Sequence, residues 1–169
     1  MLRVKLVALD LDGTLLERDG TILPELRDAL IQLSEKGVKV TTASSRFLES
    51  QLEFLEPMGL GAKVEVPHAL ITNDRSGRLV QVLLPFAGKG ETVKVLAEYW
   101  NTEFSRVLCI GDSFHDMDML DGRYGFIPAT VSNADEEIVE VVRRVGGYVS
   151  PFPHGRGVLD VLKHFKLIE

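Results

Sequence analysis

The amino-acid sequence predicts an α/β fold, a doubly wound and mostly parallel sheet with helices on both faces. Three observations carry this expectation. Apolar runs of strand length alternate with amphipathic helical stripes, the pattern of repeated strand–helix units. The runs are close to continuous in valine and leucine, as strands covered on both faces must be. Acids, hydroxyls and glycines gather where those runs stop: "DLDGT" at 10–14, "TASSR" at 42–46 and "GDSFHD" at 111–116. In open parallel sheets, sites lie at the carboxyl ends of the strands, so three stretches far apart in sequence are expected to meet.

The elements follow in order. "VKLVALDL" (4–11) reads as a buried strand, and "PELRDALIQLSEKG" (24–37) as a helix. Leu26, Ala29, Leu30 and Leu33 share one face of that helix, with Pro24 near its start and Gly37 as its stop. "VKVTTA" (38–43) is the next strand; Leu48, Leu52 and Leu55 mark a helix that closes at Pro57. "HALIT" and "RLVQVLL" flank the turn signal "NDRSG", which predicts a hairpin over 69–84. A helix from about Lys89 to Trp100 carries Val93, Leu96, Ala97 and Trp100 at core spacing. "RVLCIGD" (106–112) is a buried strand followed by a short helix near 114–120, and "YGFIPATVSN" holds another strand. Ile138, Val141, Val142 and Val145 mark one more helix, and Val158, Val161, Leu162 and Phe165 the last.

Composition narrows the function. With 169 residues, 45% hydrophobic and 26% charged, the chain has the size and balance of one globular domain, expected to span residues 1–169. There is no internal repeat, low-complexity tract or long linker. A net charge of −6 without a Lys/Arg tract argues against nucleic acid as a partner. The single cysteine, Cys109, excludes an internal disulfide and a Cys-based zinc site, and it reads as a buried small side chain. The apolar start "MLRVKLVALDLDG" is too short for a signal peptide, and no run approaches membrane-spanning length. A cytoplasmic protein with no membrane partner is expected.

Nucleotide-loop, dinucleotide, serine-hydrolase and zinc signatures are absent. "PFAGKGE" has Leu83 where a phosphate loop needs its first glycine, and "GDSFH" has His115 where a nucleophile elbow needs its second. His68, His115, His154 and His164 show no metal spacing.

What remains is acid. If the first and third core strands are neighbours, Asp10, Asp12, Asp112 and Asp116 converge, and such a cluster is tolerated when a hard cation such as Mg²⁺ neutralises it. Hydroxyls follow the second strand at Ser44 and Ser45, just before Arg46. Lys89, between two glycines at a helix start, can meet an anion together with the helix dipole. Arg46 reads equally as a surface partner of Glu49 and as a substrate contact.

"DLDGT", "KGVKVTTASSR", "GKGETVKVLAEY" and "GDSFHDMDML" resemble, in order and character, the four motifs of the haloacid dehalogenase superfamily. They look most like its Cof-like sugar-phosphatase branch, which includes mannosyl-phosphoglycerate and sucrose-phosphate phosphatases. The resemblance implies a Rossmann-like core and a phosphate monoesterase working through an aspartyl-phosphate. By position, Asp10 would be the nucleophile and Asp12 the acid–base residue. Mg²⁺ would be held by the Asp10 side chain, the Asp12 backbone carbonyl and Asp112, with Asp116 in support. Ser44 takes the phosphate-binding hydroxyl position, with Thr42 as the alternative, and Lys89 bridges nucleophile and phosphate. Sequence reading leaves a phosphomutase of the same superfamily, and a receiver-like or non-catalytic phospho-binding module, as alternatives.

The sequence departs from this family in three places. Ser45 replaces the glycine after the motif-two hydroxyl, and His115 stands where asparagine is usual. Only about forty residues separate Arg46 from Lys89, too few for the usual cap domain, so a short hairpin is expected in its place. An open site implies either a homo-oligomer that caps itself in trans or larger phosphorylated substrates.

Overall fold

The computed structural model describes residues 4–44, 46, 48–58, 72–73, 79–80 and 88–169. Its strands, in chain order, are β1 (Leu6–Leu9), β2 (Lys39–Thr42), β3 (Thr72–Asn73), β4 (Leu79–Val80), β5 (Val107–Gly111), β6 (Ile127–Thr130) and β7 (Tyr148–Val149). The helices are α1 (Pro24–Glu35), α2 (Leu48–Leu55), α3 (Lys89–Tyr99), α4 (Met117–Leu120), α5 (Glu136–Arg144) and α6 (His154–His164). Five strands form one parallel sheet in the order β2-β1-β5-β6-β7. From β1 the chain moves outward to β2 on one side, and from β5 outward to β7 on the other. The strand order therefore switches between β1 and β5, where such folds open a crevice.

Side-chain alternation along the strands builds the layers. Val7 and Leu9 of β1, with Leu108 and Ile110 of β5, pack in the core formed with Leu30 and Leu33 of α1 and Val158, Val161 and Leu162 of α6. Leu6, Ala8, Val107 and Cys109 face the opposite core, with Val93 and Ala97 of α3, Met119 and Leu120 of α4, and Ile138 and Val142 of α5. Cys109 is fully buried, and burial pushes its thiol well above the usual range, as expected for a packing residue. The predicted face of α1 is buried at all four positions, Leu26, Ala29, Leu30 and Leu33.

Some boundaries differ from expectation. β1 ends at Leu9, so both motif-one aspartates lie past the ladder, although the Asp10 N–H still donates to the Ile110 carbonyl at 2.9 Å. β7 is a two-residue strand hidden in "GGYVSP", too short to show periodicity. Val145 caps α5 at its C-terminus and is 38% exposed instead of joining its buried face. β3 and β4 pair antiparallel through Thr72–Val80 and Asn73–Leu79, within the expected hairpin. The rest of 69–84 lies outside the described residues, as do Ser45 and the side chains of Leu48, Leu52 and Leu55. Among the described residues, no helix is long and apolar enough to cross a membrane.

Candidate active site

Asp10 follows β1 and Asp112 follows β5, the two neighbouring strands at the switch point. The 10–16 turn closes on itself: the Leu15 N–H donates to the Asp10 carbonyl at 3.2 Å and the Leu16 N–H to that of Leu11 at 2.9 Å. Gly13 makes this turn possible. Its φ is +85°, and a Cβ there would stand 2.1 Å from Asp112 Oδ2, so any side chain would displace that carboxylate. Thr14, fully buried, donates its hydroxyl to Asp112 Oδ1 at 2.8 Å.

Lys89, the first residue of α3, reaches between two acids. Its Nζ lies 2.6 Å from Asp10 Oδ1 and 2.5 Å from Asp116 Oδ1. The second Asp116 oxygen accepts the backbone N–H groups of Asp112 and Ser113 at 2.9 and 3.0 Å. Gly111 leaves room for this, because a Cβ there would meet the Asp116 carboxyl carbon at 2.5 Å. Asp116 is thus fully buried with both oxygens engaged. It ties the loop after β5 to the α3 lysine.

One lysine does not neutralise three acids. Burial, then the Asp116 charge, pushes the Asp10 carboxyl up to about 7 against the pull of Lys89. Burial also raises Asp112, with Asp116 adding to it and the Thr14 hydroxyl working the other way. Burial alone would weaken the charge on Lys89, but Asp116 and Asp10 outweigh it and lift its pKa. Carboxylate oxygens of Asp10, Asp112 and Asp116 lie within 4.8 Å of one another, the one such group of acids, histidines or cysteines among the described residues. An all-carboxylate donor set with unrelieved negative charge fits a hard divalent cation.

The remaining candidates fall around this centre. Asp12 turns outward: Arg46 Nε donates to its Oδ2 at 2.8 Å and Arg46 Nη2 to its Oδ1 at 2.5 Å. Arg46, read as a partner of Glu49 or as a substrate contact, thus also forks onto Asp12, and the Glu49 side chain lies outside the described residues. Ser44 lies two residues beyond β2, and its Oγ accepts the Arg46 N–H at 3.1 Å. Thr42, the alternative, is level with Leu9 and donates its hydroxyl to Gln51 Oε1 at 2.7 Å. His115 is exposed.

The glycines flanking Lys89 have a different role from the one expected. A Cβ on Gly88 would come 1.9 Å from Asp118 Oδ2, and one on Gly90 would meet the Asp118 backbone at 2.7 Å. These glycines let α3 press onto α4, and Asp118 Oδ2 accepts the Gly90 N–H at 2.9 Å. One N–H at the start of α3, the end expected to meet an anion with Lys89, is thus already taken by the protein's own carboxylate. Sequence reading also missed Asn133 and His154, whose bonds reach the 10–16 turn across 120 and 141 residues. No local pattern signals such a contact.

Two cavities of about 330 and 320 Å³, lined in part by Tyr148 and His164 and by Lys39 and Trp100, lie at the amino ends of the strands, opposite the carboxylates.

Fold and site together define a doubly wound α/β protein with an acidic cluster at the carboxyl ends of its strands. A haloacid dehalogenase-like hydrolase model matches residues 7–73, and a sucrose-6F-phosphate phosphohydrolase model matches residues 62–166, more than half of the chain. A phosphoglycolate phosphatase of Methanothermobacter thermautotrophicus is 32% identical over 90 residues, 53% of this chain but only 38% of that protein. Among solved structures, a haloalkanoate-superfamily phosphatase of Bacteroides thetaiotaomicron superposes with a TM-score of 0.73 at 16% identity, covering 98% of this chain and 96% of that one. A 3-deoxy-D-manno-octulosonate 8-phosphate phosphatase of Moraxella catarrhalis, solved with magnesium, phosphate and the sugar acid, gives 0.64 at 19% identity over 96% and 87% of the two chains. The chain belongs to the haloacid dehalogenase-like hydrolases, on their Cof-like phosphatase branch.

Proposed function

We propose that this protein is a Mg²⁺-dependent phosphomonoesterase that hydrolyses a small phosphorylated metabolite through an aspartyl-phosphate on Asp10. The observation that carries the reading is the Asp10 carboxylate itself. It is 4% exposed, held by Lys89 at one oxygen, and set beside Asp112 at the switch point of the sheet. A bound Mg²⁺, held by the side chains of Asp10 and Asp112 and the Asp12 carbonyl, would supply charge neutralisation for the phosphoryl oxygens.

The chain's own residues do the rest. Lys89 fixes Asp10 Oδ1, leaving the other oxygen to attack phosphorus; the new O–P bond forms as the bond to the leaving alcohol breaks. Asp12, entering as the acid, gives its proton to the leaving oxygen. It then takes a proton from a water that attacks the same phosphorus, which breaks the Asp10–phosphorus bond and frees inorganic phosphate. For this Asp12 must leave its fork with Arg46, and a substrate phosphate offers Arg46 a replacement partner. Ser44, and Ser45 beside it, supply hydroxyls to the non-reacting oxygens. Asp116, with both oxygens occupied, orients Lys89 and the loop of Asp112 instead of ligating directly.

The relatives act on phosphoglycolate, and by name on sucrose 6F-phosphate and a sugar-acid 8-phosphate, which supports small hydroxylated phosphate esters as the substrate class. We take residues 1–169 as one core without a cap, in a cytoplasmic homo-oligomer whose neighbouring subunit covers the crevice.

The test is turnover of p-nitrophenyl phosphate, phosphoglycolate and a panel of sugar phosphates with Mg²⁺, with EDTA, and in Asp10→Asn. Mg²⁺-dependent turnover abolished by both EDTA and the substitution is expected. Activity that survives both would overturn the mechanism.

A further inference from the structure

The carbonyl of Gly13, next to Asp12, is held by two side chains that the reaction does not use. Asn133, after β6, donates Nδ2 to it at 2.9 Å, and His154, the first residue of α6, approaches it with Nδ1 at 3.1 Å. A carbonyl only accepts, so Nδ1 must carry the proton. The Asn133 amide is oriented by a third bond, because its Oδ1 accepts the His154 backbone N–H at 2.8 Å. Gly13, Asn133 and His154 thus close a ring of three hydrogen bonds in which every donor and acceptor is assigned. His154 holds a φ of +49°, a region that residues other than glycine seldom adopt and that the surroundings must impose. A further bond joins the same regions, from the Gly155 N–H to Glu17 Oε1 at 3.2 Å.

We infer that Asn133 and His154 are positioning residues, which set the Gly13–Thr14 peptide and so aim the groups on either side of it. Asp12 precedes that peptide, and Thr14, which follows it, holds Asp112 by its hydroxyl. One carbonyl therefore sets the pitch of the acid–base residue, the direction of the Asp12 carbonyl and the rotation of the Asp112 carboxylate. The inference rests on the phosphatase reading for what these groups do, and on the hydrogen-bond ring alone for how they are held.

His154→Gly separates function from folding, because glycine accepts the φ of +49° without strain but has no donor. Asn133→Asp keeps the shape and turns a donor into an acceptor facing a carbonyl. His154→Asn keeps a side-chain N–H and tolerates the same backbone, so it is the rescue variant. His154→Gly is expected to melt within a few degrees of wild type. Its kcat on p-nitrophenyl phosphate should fall by about 10- to 100-fold with KM nearly unchanged, and its apparent Mg²⁺ affinity in thermal-shift titration should weaken by a similar factor. Asn133→Asp is expected to do at least as much, and His154→Asn to recover most of the loss. In wild type, imidazole ¹⁵N shifts are expected to show the His154 proton on Nδ1. Wild-type kcat and Mg²⁺ affinity in His154→Gly, or a proton on Nε2, would overturn the inference. If wild type hydrolyses no ester, the phosphatase reading fails separately, and the Mg²⁺ titration and imidazole shifts still decide the hydrogen-bond ring.

Discussion

Replacing Lys89 with methionine removes a cation that Asp10 and Asp116 share while keeping a flexible stem of similar length. All three side chains are shielded, at 12%, 6% and 0% exposure, so water cannot take over the lost contacts. Removing one member of such a buried pair costs about 3–5 kcal/mol. The lower end applies here, because Asp10 already sits at about 7 and takes a proton readily once the ammonium is gone. The expected loss is therefore about 3 kcal/mol at pH 7 without metal, most of it from Asp116. The pH dependence has a definite sign. Without the lysine the folded-state pKa values of Asp10 and Asp112, already raised, rise further above their unfolded values, so the variant's deficit shrinks as pH falls. Urea denaturation of both proteins in EDTA at pH 7.0 and 5.5 measures this directly. Activity should fall by at least about 100-fold, the usual consequence of losing a fixed positive donor at a phosphoryl site. A deficit below about 1 kcal/mol at pH 7, or one that grows towards pH 5.5, would refute the reasoning.

Three other outcomes are expected. In EDTA, wild-type stability should fall as pH rises from 5 to 7, because Asp10 moves from 3.8 to about 7 on folding and the folded state binds the extra proton. The limiting slope is about 1.4 kcal/mol per pH unit, and Asp10→Asn, read by the same denaturation series, should flatten it. Gly13→Ala should lose about 1–2 kcal/mol from its positive φ alone, by thermal melting. Its Cβ would also push Asp112 aside, which should weaken the Mg²⁺ response and lower turnover together. Arg46→Ala should change stability by less than about 1 kcal/mol, because its fork onto Asp12 is substantially exposed, while KM for p-nitrophenyl phosphate rises.

Much of the fold was legible because burial on both faces writes itself into the sequence. Val7 to Leu9 and Val107 to Ile110 could only be covered strands, and the helix stripes at Leu26–Leu33 and Ile138–Val142 packed as their spacing implies. Strand-end placement then predicted that Asp10, Asp12, Asp112 and Asp116 would meet; Asp10, Asp112 and Asp116 do, while Asp12 turns outward to Arg46. β7 escaped because two residues carry no period.

The misreadings at the site have a common physical origin. Sequence marks the groups that need a partner, but not which partner reaches them. Lys89, between Gly88 and Gly90, reads as a group that meets an anion with the helix dipole, yet the space beside both glycines is taken by Asp118 from a helix nearly thirty residues away. Arg46 reads equally as a partner of Glu49 and as a substrate contact, and the structure adds Asp12, 34 residues back. Gly13 stands in the turn after β1 with a φ of +85°, and its missing side chain also leaves space for Asp112, 99 positions on. Each correction puts a carboxylate of the chain where an outside anion or nothing was expected. A chain with this many converging acids satisfies its donors internally, so the groups left for a phosphate are those whose partner is exposed and replaceable. By that criterion Arg46, in its exposed fork, can be released to a substrate, while Lys89, locked between two buried acids, stays with Asp10.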